Sequence, residues 1–269
     1  MGTDYFDYIL ADRTVVPEDQ REFYAERVVW LPDSYMVNDG LRPISARTPT
    51  RAECGLPEIA FVFCCFNNVF KITPHLFDIW MRLLRSIDGS VLWLSEANSS
   101  AAANLRREAE IRGVASERLI FAPRMELLAD HVARHRTADL FLDTMPYNAH
   151  TTASDSLWAG VPVLTCLGAT FAGRIAGSLL NAVGLSELIA ATPENYESLA
   201  LSIARDSARL AALKAKLEHN RTTYPLFDTK RFTHHLEAAY ATMWERYQRG
   251  EPPISFAVDQ SDTAAQLCP

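Results

Sequence analysis

From about residue 58 onward the chain alternates short, wholly apolar runs with longer stretches of helical period, and this pattern restricts the fold more than any other feature. Strands are expected over 59–66, 90–95, 118–123, 140–143, 162–166 and 188–191. Apolar on both faces, they suit a sheet covered by helices on both sides, and regular alternation with helices makes the sheet parallel. Thr73 and Pro74 supply an N-cap and a first-turn proline ahead of HLFDIWMRLLRSI, whose apolar stripe has helical period. Further helices are expected over 101–113, 126–136, 151–159, 170–183, 194–219 and 229–249. The fold class is therefore α/β, a Rossmann-like parallel sheet flanked by helices.

Residues 1–45 break this rhythm. They offer one strand (7–11), one helix (17–26), the segment VVWLPDSYM and a stretch rich in proline and arginine. A strand and a helix cannot close a core alone, so this part reads as the remnant of another domain followed by a linker. Residues 46–258 then form one lobe, and 259–269 a disordered tail, with fraying expected from Pro252 onward.

A formal charge of −7 over 269 residues argues against a sequence-blind grip on nucleic-acid phosphates, so any anion site must be local. No apolar run reaches the ~18 residues that span a bilayer, and the opening lacks the charged and apolar regions of a signal peptide. Met1 and Gly2 begin like a myristoylation signal, but Phe6 stands where that signal needs Ser or Thr. Cys54, Cys64, Cys65, Cys166 and Cys268 show neither CxxC nor Cys/His zinc spacing, which suits reduced thiols. A soluble, cytoplasmic protein with no membrane partner is expected.

In an open α/β sheet, ligands bind beyond the carboxyl ends of the strands. The turn after 140–143 reads TMPYNAHTTASDSLWAG and brings His150, Thr151 and Thr152 to the start of a helix. Free N–H groups and the helix dipole favour a phosphate there, and a diphosphate would fit. Thr152 and Asp155 also match a capping box, which needs no ligand. The turn after 59–66 carries Lys71, whose ammonium could reach the same rim, although a lone loop lysine is ordinarily just solvated. The segment GATFAGRI (168–175) resembles a P-loop but has Arg174 for Lys and Ile175 for the magnesium-binding hydroxyl. No GxGxxG and no Asp-x-Asp occurs, so a usual dinucleotide site and a metal-held diphosphate are both unsupported. His219, His234 and His235 lie in helices without partner ligands and read as surface residues, while His131, Arg134 and Arg136 could face the crevice or suit a helix C-terminus.

The segments FNNVFKI (66–72), SVLWL (90–94), LDTMPYNAHTTASDSLWAGVPVLT (142–165), TFAGRIAGSLL (170–180) and YPLFDTKRFTHHLEAAYATMWERY (224–247) closely resemble the C-terminal catalytic lobe of the O-GlcNAc transferase family, glycosyltransferase family 41, of bacterial type. DYFDYILAD (4–12) and AERVVWLPDSYM (25–36) resemble the end of that family's N-terminal catalytic lobe. The resemblance implies a GT-B architecture, with UDP-GlcNAc held mainly by the C-terminal lobe. It implies transfer of GlcNAc to Ser or Thr hydroxyls of a protein acceptor, with inversion and without a metal or other cofactor. By position, Lys71 would contact the diphosphate and support departure of UDP, and His150, Thr151 and Thr152 would be the phosphate-binding triplet. Asp155 and His131 would face the ribose and base, Asn68 stands where animal members carry glutamine, Arg134 matches the arginine of the motif HVxR, and Tyr147 would lie near the sugar. Met125 is assigned to the donor site within 124–130, a stretch that aligns loosely and lacks the lysine of animal members.

Family enzymes also carry tetratricopeptide repeats and a complete N-terminal lobe, which these 269 residues do not include, so the chain is expected to be a truncated piece of such an enzyme. With one wall of the site missing, the chain alone is expected to bind UDP weakly and transfer little. The alternatives are hexose transfer to asparagine, known in related members, and a non-catalytic UDP-binding module.

Overall fold

The structure is a computed structural model that describes residues 3, 5–96 and 98–260. Six parallel strands build the main sheet: β3 (Val62–Cys65), β4 (Val91–Ser95), β5 (Leu119–Ala122), β6 (Leu140–Leu142), β7 (Val163–Cys166) and β8 (Ile189–Ala190). Their spatial order is β5-β4-β3-β6-β7-β8. Counted from β3, this is the doubly wound order 3-2-1-4-5-6, present although the glycine fingerprint that often marks it is absent. The winding reverses between β3 and β6, so the loops that leave these two strands diverge and open a crevice between them.

Seven helices connect or cover these strands: α1 (Pro74–Ser86), α2 (Ser99–Ile111), α3 (Leu128–Arg134), α4 (Thr151–Ala159), α5 (Ile175–Ala182), α6 (Pro193–Arg205) and α7 (Ser207–Thr223). Thr73 caps α1 by accepting from Leu76 N, with Pro74 in its first turn. The buried side of α1, including Leu76, Trp80 and Leu83, joins β3 and β4 residues such as Phe63 and Trp93 in one core. The helix expected over 194–219 is two helices, because Asp206 leaves α6 in an extended conformation and caps α7 by accepting from Arg209 N. The helix expected over 170–183 begins only at Ile175; Phe171–Gly173 form a 3-10 turn that Thr170 caps.

Residues 8–30 and the last described ones meet in a second, smaller sheet. Here β1 (Tyr8–Ala11), β2 (Arg27–Trp30) and β9 (Phe256–Ala257) pair in parallel in the order β1-β2-β9. β2 lies in the segment VVWLPDSYM, which carried no strand expectation, and 17–26 forms only a 3-10 turn at Glu18–Phe23. The stretch after Pro252, expected to fray, instead supplies β9. Helix α8 (Thr229–Gln248) carries the chain back to this sheet and buries Ala238 and Ala239 against Val29, Leu31 and Val258. Arg231 on α8 binds Asp33 with two hydrogen bonds, and His235 is buried with its Nδ1 3.7 Å from the same carboxylate. His235 is thus a packed residue and not the surface residue its helix position suggested, while His219 and His234 are exposed.

Cys64, Cys65 and Cys166 are buried and unpaired, and Cys54 is half-buried and unpaired. Cys268, like all of 261–269, lies outside the described residues. No described helix is long and apolar enough to cross a membrane.

Candidate functional site

The loops leaving β3 and β6 at the crevice carry Lys71 and His150, and they bring these residues to one rim. Lys71 ends a short 3-10 turn, Val69–Lys71, and its Nζ donates to Asn148 O at 2.8 Å. The ammonium lies 4.1 Å from the centre of the Tyr147 ring. That ring in turn stacks on His150, with centroids 5.2 Å apart and planes within 15°. Burial lowers the Lys71 pKa, an effect the Asp143 carboxylate opposes. Burial and the nearby Lys71 charge both lower His150, against a hydrogen bond to the Ala172 backbone. The His150 Nε2 atom is buried with no partner among the described residues.

His150 is the N-cap residue of α4, and its side chain makes no capping hydrogen bond. The first N–H groups of a helix have no acceptor inside it, so α4 presents open donors and the positive end of its dipole to the rim. The capping box expected of Thr152 and Asp155 does not form. The helix starts at Thr151, which puts Thr152 inside the first turn, where its hydroxyl donates to Asn67 Oδ1 at 2.5 Å. Asp155 accepts from Arg42 Nη1 at 2.5 Å, a pairing across 113 residues that no local pattern announces. Thr151 is exposed.

Beneath the rim, Asp143 is fully enclosed. Its Oδ1 accepts from Ala149 N at 2.6 Å, Thr144 N at 2.7 Å and Asn67 Nδ2 at 3.3 Å, and its Oδ2 accepts from Thr165 Oγ1 at 2.7 Å. Burial pushes its pKa up to about 6 even against these donors, so it is a carboxylate at neutral pH. It therefore pins the loop that carries Tyr147 and Asn148. The P-loop-like glycines serve this packing: a Cβ on Gly173 would sit 2.7 Å from Pro146 O, while Asn148 N donates to Ala172 O at 2.9 Å.

A second group gathers where α3 lies against α4. Arg134 is 4% exposed; its Nη1 donates to Pro123 O at 2.6 Å and its Nη2 meets His131 Nδ1 at 2.7 Å. Its guanidinium also lies 4.9 Å from the Phe66 ring centre, so Arg134 braces His131 from the interior instead of facing the crevice or solvent. Burial, reinforced by Arg134 and Arg42, drives the His131 pKa down to about 4. Arg42, bonded to Asp155, thus also bears electrostatically on His131. Arg136 is exposed beyond α3. Asn68 is exposed at the start of the Lys71 turn, and Met125 is half-buried in the loop after β5.

Lys71, Tyr147, His150, Thr151 and Thr152 therefore share one rim, and His131, Arg134 and Asp155 form an adjoining cluster. Asn67, Asp143 and Arg42 were not singled out from the sequence. For the first two a signal existed, since each is a polar residue just past a wholly apolar strand on either side of the crevice. A surface cavity of about 350 Å³ lined by Trp158, Arg221, Tyr224 and Arg231 lies at the far end of α4. Among the described residues, no group of three or more His, Cys, Asp or Glu side chains is placed to hold a metal ion.

The chain resembles known proteins across almost its whole length. The family model for Glycosyl transferase family 41 matches residues 41–236. The chain is 38% identical, over 97% of its length, to the probable UDP-N-acetylglucosamine-peptide N-acetylglucosaminyltransferase SEC of Arabidopsis thaliana, and it spans 27% of that protein. It is 37% identical, over 78% of its length, to a UDP-N-acetylglucosamine-peptide N-acetylglucosaminyltransferase of Caenorhabditis elegans, of which it spans 18%. Among solved structures, a point mutant of the O-GlcNAc transferase of Thermobaculum terrenum superimposes with a TM-score of 0.82 at 34% identity, covering 91% of this chain and 46% of that one. The chain thus spans about a quarter of the plant relative it matches. Its main sheet is the Rossmann-like C-terminal lobe of a GT-B glycosyltransferase, and the chain belongs to glycosyltransferase family 41.

Proposed function

We propose that this chain is the donor-binding part of a UDP-GlcNAc-dependent glycosyltransferase that acts on Ser or Thr hydroxyls of proteins. The observation that carries this reading is the meeting of Lys71 and the uncapped start of α4 at the point where the sheet's winding reverses. In this reading the pyrophosphate of the donor lies along the rim, against the first N–H groups of α4, Thr151 and Lys71. His131 and Asp155 serve the base and ribose end, with Arg134 holding His131 from behind. Asn68 and Tyr147 border the sugar, and Met125 borders the nucleotide. The acceptor hydroxyl attacks the anomeric carbon from the face opposite UDP, inverting its configuration. As the bond to the β-phosphate oxygen breaks, negative charge grows on UDP and Lys71 neutralises it, which is the task a metal performs in other transferases. Relatives named for transfer of N-acetylglucosamine to peptides support the choice of donor and acceptor.

Transfer is measured with UDP-GlcNAc and Ser/Thr-containing acceptor proteins by mass spectrometry, in the presence of EDTA. The chain is assayed within its full-length protein wherever that exceeds 269 residues. GlcNAc on a hydroxyl residue, lost in Lys71→Ala, is the expected result. Transfer that requires a divalent metal, or that survives Lys71→Ala unchanged, refutes it.

A further inference from the structure

The buried polar chain beneath the rim fixes where each hydroxyl proton points. Thr144 Oγ1 donates to Tyr147 O at 2.7 Å, which uses its only proton. Toward Asn67 it can then offer only a lone pair, which Asn67 Nδ2 takes at 2.8 Å. The Asp143 carboxylate likewise offers Asn67 only an acceptor. With acceptors on that side, the amide cannot be turned over: its carbonyl would face the Asp143 oxygen and a hydroxyl with no proton to give. Asn67 Oδ1 must therefore face Thr152, and Thr152 must donate to it. Asn67 is 3% exposed, so water does not compete for these bonds.

From this we infer that Asn67 is a positioning residue that turns the Thr152 hydroxyl proton inward, leaving Thr151 as the threonine that gives a hydroxyl proton to the donor's phosphate. This rests on the proposed pyrophosphate site and divides the work of its two threonines. An ionised phosphate is only an acceptor, and a hydroxyl whose proton is committed has nothing to donate to it. Thr152 instead ties the first turn of α4, which follows β6, to the loop leaving β3, and so holds the crevice at one width. Thr151 is exposed on the same turn with its hydroxyl uncommitted among the described residues.

The test is calorimetric titration with UDP of Thr151→Val, Thr152→Val, Asn67→Ala, the Asn67→Ala/Thr152→Val double variant and Lys71→Ala. Thr151→Val is expected to weaken UDP about tenfold, the scale of one hydrogen bond to a charged group. Thr152→Val is expected to weaken it less, and the double variant to bind as Asn67→Ala does, since both changes break one link. Thr152→Ser, which keeps the hydroxyl, should bind as wild type. Equal losses in the two valine variants, with the Thr152 loss unchanged in the Asn67→Ala background, overturn the inference. Thr151 is exposed, so its variant remains informative even if Thr152→Val fails to fold, and wild-type affinity in Thr151→Val alone also overturns it. Wild-type affinity in Lys71→Ala instead refutes the pyrophosphate site itself, so the two failures are distinguishable.

Discussion

The two histidines of α3 and its following turn show how far a single side chain's charge state depends on its surroundings. His135 is fully buried, its ring edge-on to Phe66 and its Nε2 3.5 Å from His131 Nε2. Burial, followed by His131, Arg134 and Arg42, holds its pKa well below the ordinary value, and His131 is driven to about 4 for similar reasons. Both rings are neutral when folded, whereas the unfolded chain protonates them near 6.5. Their contribution to stability is therefore complete above pH 6.5 and is lost as pH falls toward 4. Asp143 works in the opposite sense, because a carboxyl lifted from 3.8 to about 6 favours folding more as pH drops through that window. His150 is lowered as well and Asp155 raised, so three histidines outweigh two carboxyls. The thermal midpoint is expected to fall between about pH 6.5 and 5, and His135→Gln to flatten the decline. An equally steep decline in that variant would mean that the ring is not the proton acceptor.

At the scale of elements, two of the left-handed glycines that follow helices differ in what surrounds them. Gly160 follows α4 at φ +89°, and a Cβ there would meet nothing closer than 3.6 Å. Gly184, just beyond α5, has φ +70° and a Cβ there would lie 2.3 Å from the Tyr224 ring. Gly160→Ala should therefore cost only the conformational penalty of about 1 kcal/mol, and Gly184→Ala distinctly more, by urea denaturation. Equal costs would show that Tyr224 moves aside freely. The same elements mark how much the sequence discloses. The six strands of the main sheet and helices such as α1 and α4 are legible because apolar period and caps are local properties. β9 is not, because a two-residue strand acquires its meaning only from a partner more than two hundred residues away, and β2 is not, because it pairs with β1 outside the alternation that marks the main sheet. The capping box failed for a related reason: the crevice supplies Thr152 and Asp155 with better partners, Asn67 and Arg42, from distant loops.

For the whole molecule, two sheets share one chain that leaves the first at β2, builds the six-stranded lobe and returns through α8. Lys71, His150, Thr151 and Thr152 were legible as candidates because sheet topology dictates where a ligand can sit, whereas Tyr147 followed only from the family resemblance. The stack of Lys71, Tyr147 and His150 was not, since it depends on how two loops fold toward each other across the crevice. The central claim is that this crevice holds a pyrophosphate between one ammonium and one helix start. A crystal structure of the chain soaked with UDP in the presence of EDTA tests it most directly. The account predicts a diphosphate within hydrogen-bonding distance of Lys71 Nζ and the Thr151 backbone N–H. Well-ordered UDP elsewhere, for example in the cavity beside Trp158 and Arg221, with the rim left empty, would contradict it.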